Sequence, residues 1–163
     1  MTWAVLLLAS GDTEAAGRAA GRDRYRSRAA AWLRDHELVE HAARLRARAL
    51  AEEFSAHPSE VPRILKRADV LPTGVSAADL VGLIGGAEVA EGYAPASCRD
   101  RIVDEHSLDA GAGAVRLRWI RDDLWPLLAS GDSRVAPSAA VFVDLLEHDD
   151  PRARRQAALA LAR

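Results

Sequence analysis

The sequence predicts an α+β fold, mainly helical, with a small β-sheet and a helical N-terminal extension, and three features carry that expectation. Alanine and leucine are abundant while aromatic residues make up only 5% of the chain, a composition that favours helix because these side chains lose little rotamer freedom there. Between Tyr25 and Phe54, Ala30, Trp32, Leu33, Leu38, Val39, Ala42, Leu45, Ala49 and Leu50 recur at three- and four-residue steps, the spacing of a helix face. The heptapeptide AVRLRWI instead sets Val115, Leu117 and Trp119 against Arg116 and Arg118, the period of two expected of a half-buried strand.

A chain of 163 residues is long enough for one core with a helical addition. The division predicted is a partly basic helical extension over residues 1–55 and an α+β domain over 56–163. Hydrophobic residues at 49% and charged residues at 28% are too apolar a mixture for a disordered chain. A single cysteine, Cys98, excludes an intramolecular disulfide and a cysteine-based zinc cage, and fits a reducing, cytoplasmic location. No apolar run approaches the roughly 18 residues of a membrane span, and WAVLLLAS reads as a core segment.

Taken in order, residues 3–9 form a short helix or strand ended by Gly11, and Asp12 caps TEAAGRAAG, whose glycines weaken it as a helix. The stretch to Phe54 gives two helices broken around Asp35 and His36, or one long bent helix. AHPSEVPRILKRADV starts a helix at a Ser59 cap, with Pro62 tolerated in its first turn. LPTGVSAADLVGLIGG repeats that grammar, with Ser76 as cap and the Gly85-Gly86 pair as terminator. Strands are placed around residues 87–93 and 114–120, separated by a helix that begins at Pro95 and buries Ile102 and Val103. PSAAVFVDLLEH is a buried helix, and DPRARRQAALALAR a final one with Asp149 or Asp150 at its cap and Pro151 at its first position. The hexapeptide LLASGD occurs at Leu7 and again at Leu127, without the surrounding similarity that a repeat requires.

Candidate chemistry is concentrated in VFVDLLEHDD, where Asp144, Glu147 and His148 stand at i, i+3 and i+4 and would share a helix face, as metal ligands do. Against a metal, Val141, Phe142, Leu145 and Leu146 define the core-facing stripe, leaving Asp144 and His148 as solvated flanking charges. No metal and no cofactor is assigned. There is no G-x-S-x-G, Cys98 sits in a helix without a histidine beside it, and the glycines of GLIGG are followed by no lysine, so nucleophile and phosphate-loop chemistries have no carrier. No catalytic residue is assigned, and a small enzyme using Asp144 to Asp150 is the weakest reading.

Net charge is −2, but residues 17–48 hold nine arginines against four acids while the remainder holds thirteen basic residues against twenty acids. Arg22, Arg24, Arg26 and Arg28, with Tyr25 among them, could contact phosphates, the acidic face of a partner or this chain itself. Arg116 and Arg118 on the outer face of their strand are similar candidates, with plain solvation as the alternative. A recognition helix with its turn glycine is missing.

The order VLPTGVSAADLVGL, EVAEGYAP, a helix, GAVRLRWI and finally APSAAVFVDLLEHDDPRARRQAALALA resembles the C-terminal domain of the AbiEi family, antitoxins of type IV toxin–antitoxin systems. The resemblance covers roughly residues 56–163, and its most distinctive motif is the proline-led helix running D-L-L into D-P-R-A. It implies a non-enzymatic protein counteracting a cognate nucleotidyltransferase toxin, whether by contact or indirectly. It also implies possible repression of its own operon through an N-terminal winged helix. Residues 1–55 depart from that pattern, since they give helices and no strand pair for a wing. The alternative is a nucleic-acid-binding transcription regulator that uses the arginine-rich N-terminal helices.

Overall fold

The structure is a computed structural model that describes residues 1–82, 88–130 and 133–162. In chain order it begins with α1 (Thr2–Ala9), α2 (Thr13–Ala20), α3 (Asp23–Asp35), α4 (Leu38–His41) and a 3-10 segment over Ala42–Arg48. The chain continues through β1 (Leu50–Ser55), α5 (Val61–Leu65), β2 (Leu71–Pro72), a 3-10 segment over Gly74–Val81, β3 (Ala90–Pro95) and a 3-10 turn over Ala96–Cys98. Last come α6 (Arg99–Glu105), β4 (Asp109–Ala110), β5 (Val115–Ile120), α7 (Trp125–Leu128), α8 (Ser138–Leu146) and α9 (Pro151–Leu161). Helices at the N-terminus and a five-stranded sheet make this a mixed α+β fold. The chain divides into two compact units, one formed by Met1–Arg48 with the segment from Pro137 onward, the other by Ala49–Ala136. That division falls elsewhere than the boundary expected at residue 55.

The first unit is helical. α1 buries five consecutive residues, Trp3 to Leu7, so it is surrounded rather than amphipathic. At its end the Ser10 hydroxyl donates to the Leu6 carbonyl at 2.8 Å and accepts the Ala139 amide of α8 at 3.0 Å, supplying a cap that α8 lacks in its own sequence. Asp12 accepts the Ala15 amide at 2.8 Å as expected of a cap. α2 forms despite its glycines and stops at Gly21, whose φ of +70° is the left-handed conformation glycine adopts without a Cβ penalty. The first LLASGD is thus a helix end followed by a cap. Of the second, Gly131 and Asp132 lie outside the described residues, as do Gly85 and Gly86. The break near Asp35 is real, with extended backbone at His36 and Glu37. α9 starts on Asp150, which accepts the Arg152 amide at 2.8 Å, with Pro151 in the first turn.

The second unit carries the sheet, in the order β2-β3-β5-β1-β4. β3 and β5 are parallel and the other pairs antiparallel. The parallel pair needs a crossover, which α6 and β4 supply between β3 and β5. One sheet face forms the core, with Phe54, Leu117 and Trp119 packed on Val61 and Ile64 of α5 and Ile102 of α6. Gly113 sits where the chain passes β1: a Cβ there would lie 2.6 Å from Ser55 Cα and closer still to the Phe54 carbonyl. Only glycine fits that approach.

Three sequence expectations are corrected. Residues 50–55 are a strand, not the end of a helical stretch; the alternation of Leu50, Glu52 and Phe54 with Ala51, Glu53 and Ser55 is short, and it is masked by the helical spacing before it. Ser76 is not a helix cap: its hydroxyl donates to the Val89 carbonyl at 3.0 Å and accepts the Glu91 amide at 2.9 Å, tying the 3-10 segment to β3. Ser59 does not cap α5 either, but pairs with His57 Nδ1 at 2.8 Å.

Candidate functional site

The arginines of residues 22–28 lie at the start of α3. Arg22 occupies its N-cap position, and Arg24, Arg26 and Arg28 are exposed along the helix. Arg24 extends over the Tyr25 ring, 4.7 Å from its centroid, and donates to the Tyr25 hydroxyl at 2.9 Å. Arg26 meets Asp23 only at 3.9 Å, with both side chains exposed, a contact of little energetic weight. Arg22 and Arg28 stand in no ion pair among the described residues. These guanidinium groups are therefore available to an anionic ligand.

Arg116 and Arg118 are placed differently from one another. They do share the sheet face opposite Trp119, as the alternation predicts, but that face is not simply solvated. Arg116 lies between Glu53 on β1 and Glu91 on β3, its cross-strand neighbours in register. It donates to Glu53 through Nε at 3.0 Å and reaches Glu91 at 3.5 Å. Arg118 is 2% exposed, with its guanidinium 6.0 Å from the centroid of the buried Tyr93 ring. Its position on the outer face is kept and its exposure is not, because alternation reports which face a side chain takes and not what covers that face.

The acids of the C-terminal cluster are likewise repositioned. Asp144 is a buried carboxylate 1% exposed, paired with the buried Arg48 guanidinium, rather than a solvated flanking charge. Arg48 also donates to Glu147 at 3.1 Å and to the Leu45 carbonyl at 2.9 Å, while its own carbonyl accepts the Trp3 indole N–H at 2.8 Å. Among the described residues, no group of histidine, cysteine and acidic side chains is arranged to hold a metal ion. Cys98 ends the 3-10 turn before α6, where Arg101 approaches its Sγ at 3.3 Å.

The other charge clusters, in the sheet unit, are ion pairs. Glu52 receives two bonds from Arg99, at 2.7 and 3.0 Å, and one from the Trp119 indole at 2.5 Å. The Arg99 guanidinium, and after it Trp119, holds the Glu52 carboxyl below the usual carboxylate range. Arg67 grips Asp69 at 2.7 and 2.9 Å, and its guanidinium holds the Asp69 carboxyl below the usual range in the same way; Arg67 also pairs with Glu105. His106 joins this network, its Nδ1 2.7 Å from Glu60 and its Nε2 3.2 Å from Arg67.

The division into units also sorts the charge. The helical unit holds thirteen basic residues against ten acids and the sheet unit nine against fourteen. α9 contributes to the first count through Arg152, Arg154 and Arg155, all exposed.

The chain is thus an α+β fold with a net-basic helical unit and a net-acidic sheet unit in which many of the charges are ion-paired. The chain matches over residues 15–163 a family model described as a transcriptional regulator, the AbiEi antitoxin of type IV toxin–antitoxin systems, and it belongs to that family. Neither a curated protein nor a solved structure matches it. The match begins at residue 15 and so takes in the basic helices as well as the segment whose motifs carried the resemblance. No helix among the described residues is long and apolar enough to cross a membrane.

Proposed function

We propose that this chain is a cytoplasmic antitoxin that counteracts a cognate nucleotidyltransferase toxin, by contact or indirectly, without chemistry of its own. The observation that carries the reading is the family match across both compact units. The buried Arg48–Asp144 ion pair supports it, since it commits to structure a carboxylate that the catalytic reading of Asp144 to Asp150 would use. The gene next to this one tests the partner: a nucleotidyltransferase there supports the reading, and an enzyme of another class or no enzyme counts against it.

A second reading, regulation of its own operon, is favoured by the exposed arginines of α3. Arg22, Arg24, Arg26 and Arg28 are the phosphate contacts in that reading, and Arg116 and Arg118 serve the sheet. A gel-shift with the upstream DNA at several salt concentrations checks it, because phosphate contacts make affinity fall as salt rises.

A further inference from the structure

Along α3 and into its C-cap, Arg24, Arg28, Trp32 and His36 succeed one another at four-residue steps, which places them in a continuous oblique row on the helix surface. The row changes chemistry along its length. Its first half is guanidinium, exposed at both positions. Its second half is aromatic: the Trp32 and His36 rings are stacked, with centroids 5.0 Å apart and planes 6° from parallel. His41 from α4 completes a triangle at 5.4 Å from Trp32 and 4.9 Å from His36. The His36 ring is fixed by its Nδ1, 3.0 Å from the Trp32 carbonyl. All three rings are half-buried. Beside His36 opens a cavity of about 390 Å³ whose lining includes Leu33, Glu37, Leu38 and Phe142.

A paired duplex hides its base faces and offers an α-helix mainly phosphates and groove edges, for which a cluster of stacked rings has no use. An unpaired strand offers phosphates and open base faces together, and proteins bind it with cationic groups in line with aromatic platforms. We propose that the α3 row is a binding site for single-stranded nucleic acid. Arg24 and Arg28 neutralise successive phosphates, a base stacks on the Trp32–His36 pair, and the adjoining cavity receives the next apolar face. The proposal rests on the phosphate-binding reading of α3 above and narrows the ligand from duplex to single strand.

The test is fluorescence anisotropy of the full chain with labelled single-stranded RNA and DNA of about 12 nucleotides, and with the duplex of the same sequence. Single strands, of one or both sugar types, are expected to bind at least tenfold more tightly than duplex. Trp32→Ala is expected to weaken single-strand binding roughly five- to 150-fold, the range of one lost stacking contact, and Trp32→Phe to retain most of it. Arg24→Gln with Arg28→Gln, at exposed positions, is expected to lower the salt slope by about 1.4. Melting temperature is recorded for each variant. Equal or tighter duplex binding overturns the proposal while leaving the phosphate reading of α3 standing. So does a Trp32→Ala protein that is folded and binds unchanged, or an arginine pair whose loss leaves the slope unchanged. Absence of all nucleic-acid binding overturns this proposal and the regulatory reading together, and leaves toxin neutralisation to its own test.

Discussion

Arg48 and Asp144, 96 positions apart in the sequence, form an ion pair in which both side chains are buried. Through it the 3-10 segment that closes the N-terminal helices is bound to the last turn of α8, within the unit that joins residues 1–48 to the C-terminal helices. Removing one member leaves an uncompensated buried charge, which costs about 3–5 kcal/mol. Asp144→Ala should therefore lower the denaturation midpoint strongly, with loss of amide protection concentrated in α1 and α8. Replacing both residues, Arg48→Met with Asp144→Leu, should recover most of that loss. Recovery in the double variant, read by urea unfolding, separates charge burial from packing.

Gly113→Ala should destabilise the sheet unit by about 1–3 kcal/mol or more. The neighbours of the new methyl group are backbone atoms of Phe54 and Ser55, which cannot turn aside as a flexible side chain could. Gly111 and Gly113 are only two positions apart, but Gly111 has open space around it and a φ of +143°, so alanine there acts through backbone strain alone. Thermal unfolding of the two variants compares the mechanisms.

Acid should weaken the sheet unit through Glu52. Arg99 lowers its carboxyl in the folded chain, so the unfolded state binds protons more readily and the stabilisation is present above an unfolded value of about 4.3. It is lost as pH falls through the lower folded value. Glu52→Gln should remove part of the decline seen between about pH 5 and pH 3. Midpoints measured across that range in both proteins give the comparison.

Tyr93 and Arg118 should behave as a packed pair and not as a surface feature. Both are buried, so Arg118→Ala should destabilise the protein by removing packing as well as charge. A double-mutant cycle with Tyr93→Leu should show coupling of about 0.5–3 kcal/mol, the range for residues in contact.

Several helices and the strands near residues 90 and 115 could be read from the sequence because each follows a local rule: a cap such as Asp12 or Asp150, a proline, a spacing. Asp150 before Pro151 and the alternation in β5 are of that kind. What could not be read depends on partners distant in sequence. Asp144 looked solvated because its helix face was judged by neighbouring residues, while its burial is set by Arg48. Arg118 looked exposed for the same reason. The strand at Leu50–Ser55 was hidden because Glu52 faces the core, where it is satisfied by Arg99 and Trp119 from other elements. The stacked Trp32 and His36 were visible only as apolar spacing, since ring geometry has no sequence signature.

Neutralisation of a nucleotidyltransferase toxin is the proposed function. Growth of cells in which the neighbouring toxin gene is induced, with and without this chain expressed beside it, tests that most directly. Growth arrest by the toxin should be relieved by the wild-type chain, and should persist when Asp144→Ala unfolds the helical unit. Persistent arrest in the presence of folded, expressed wild-type protein would contradict it.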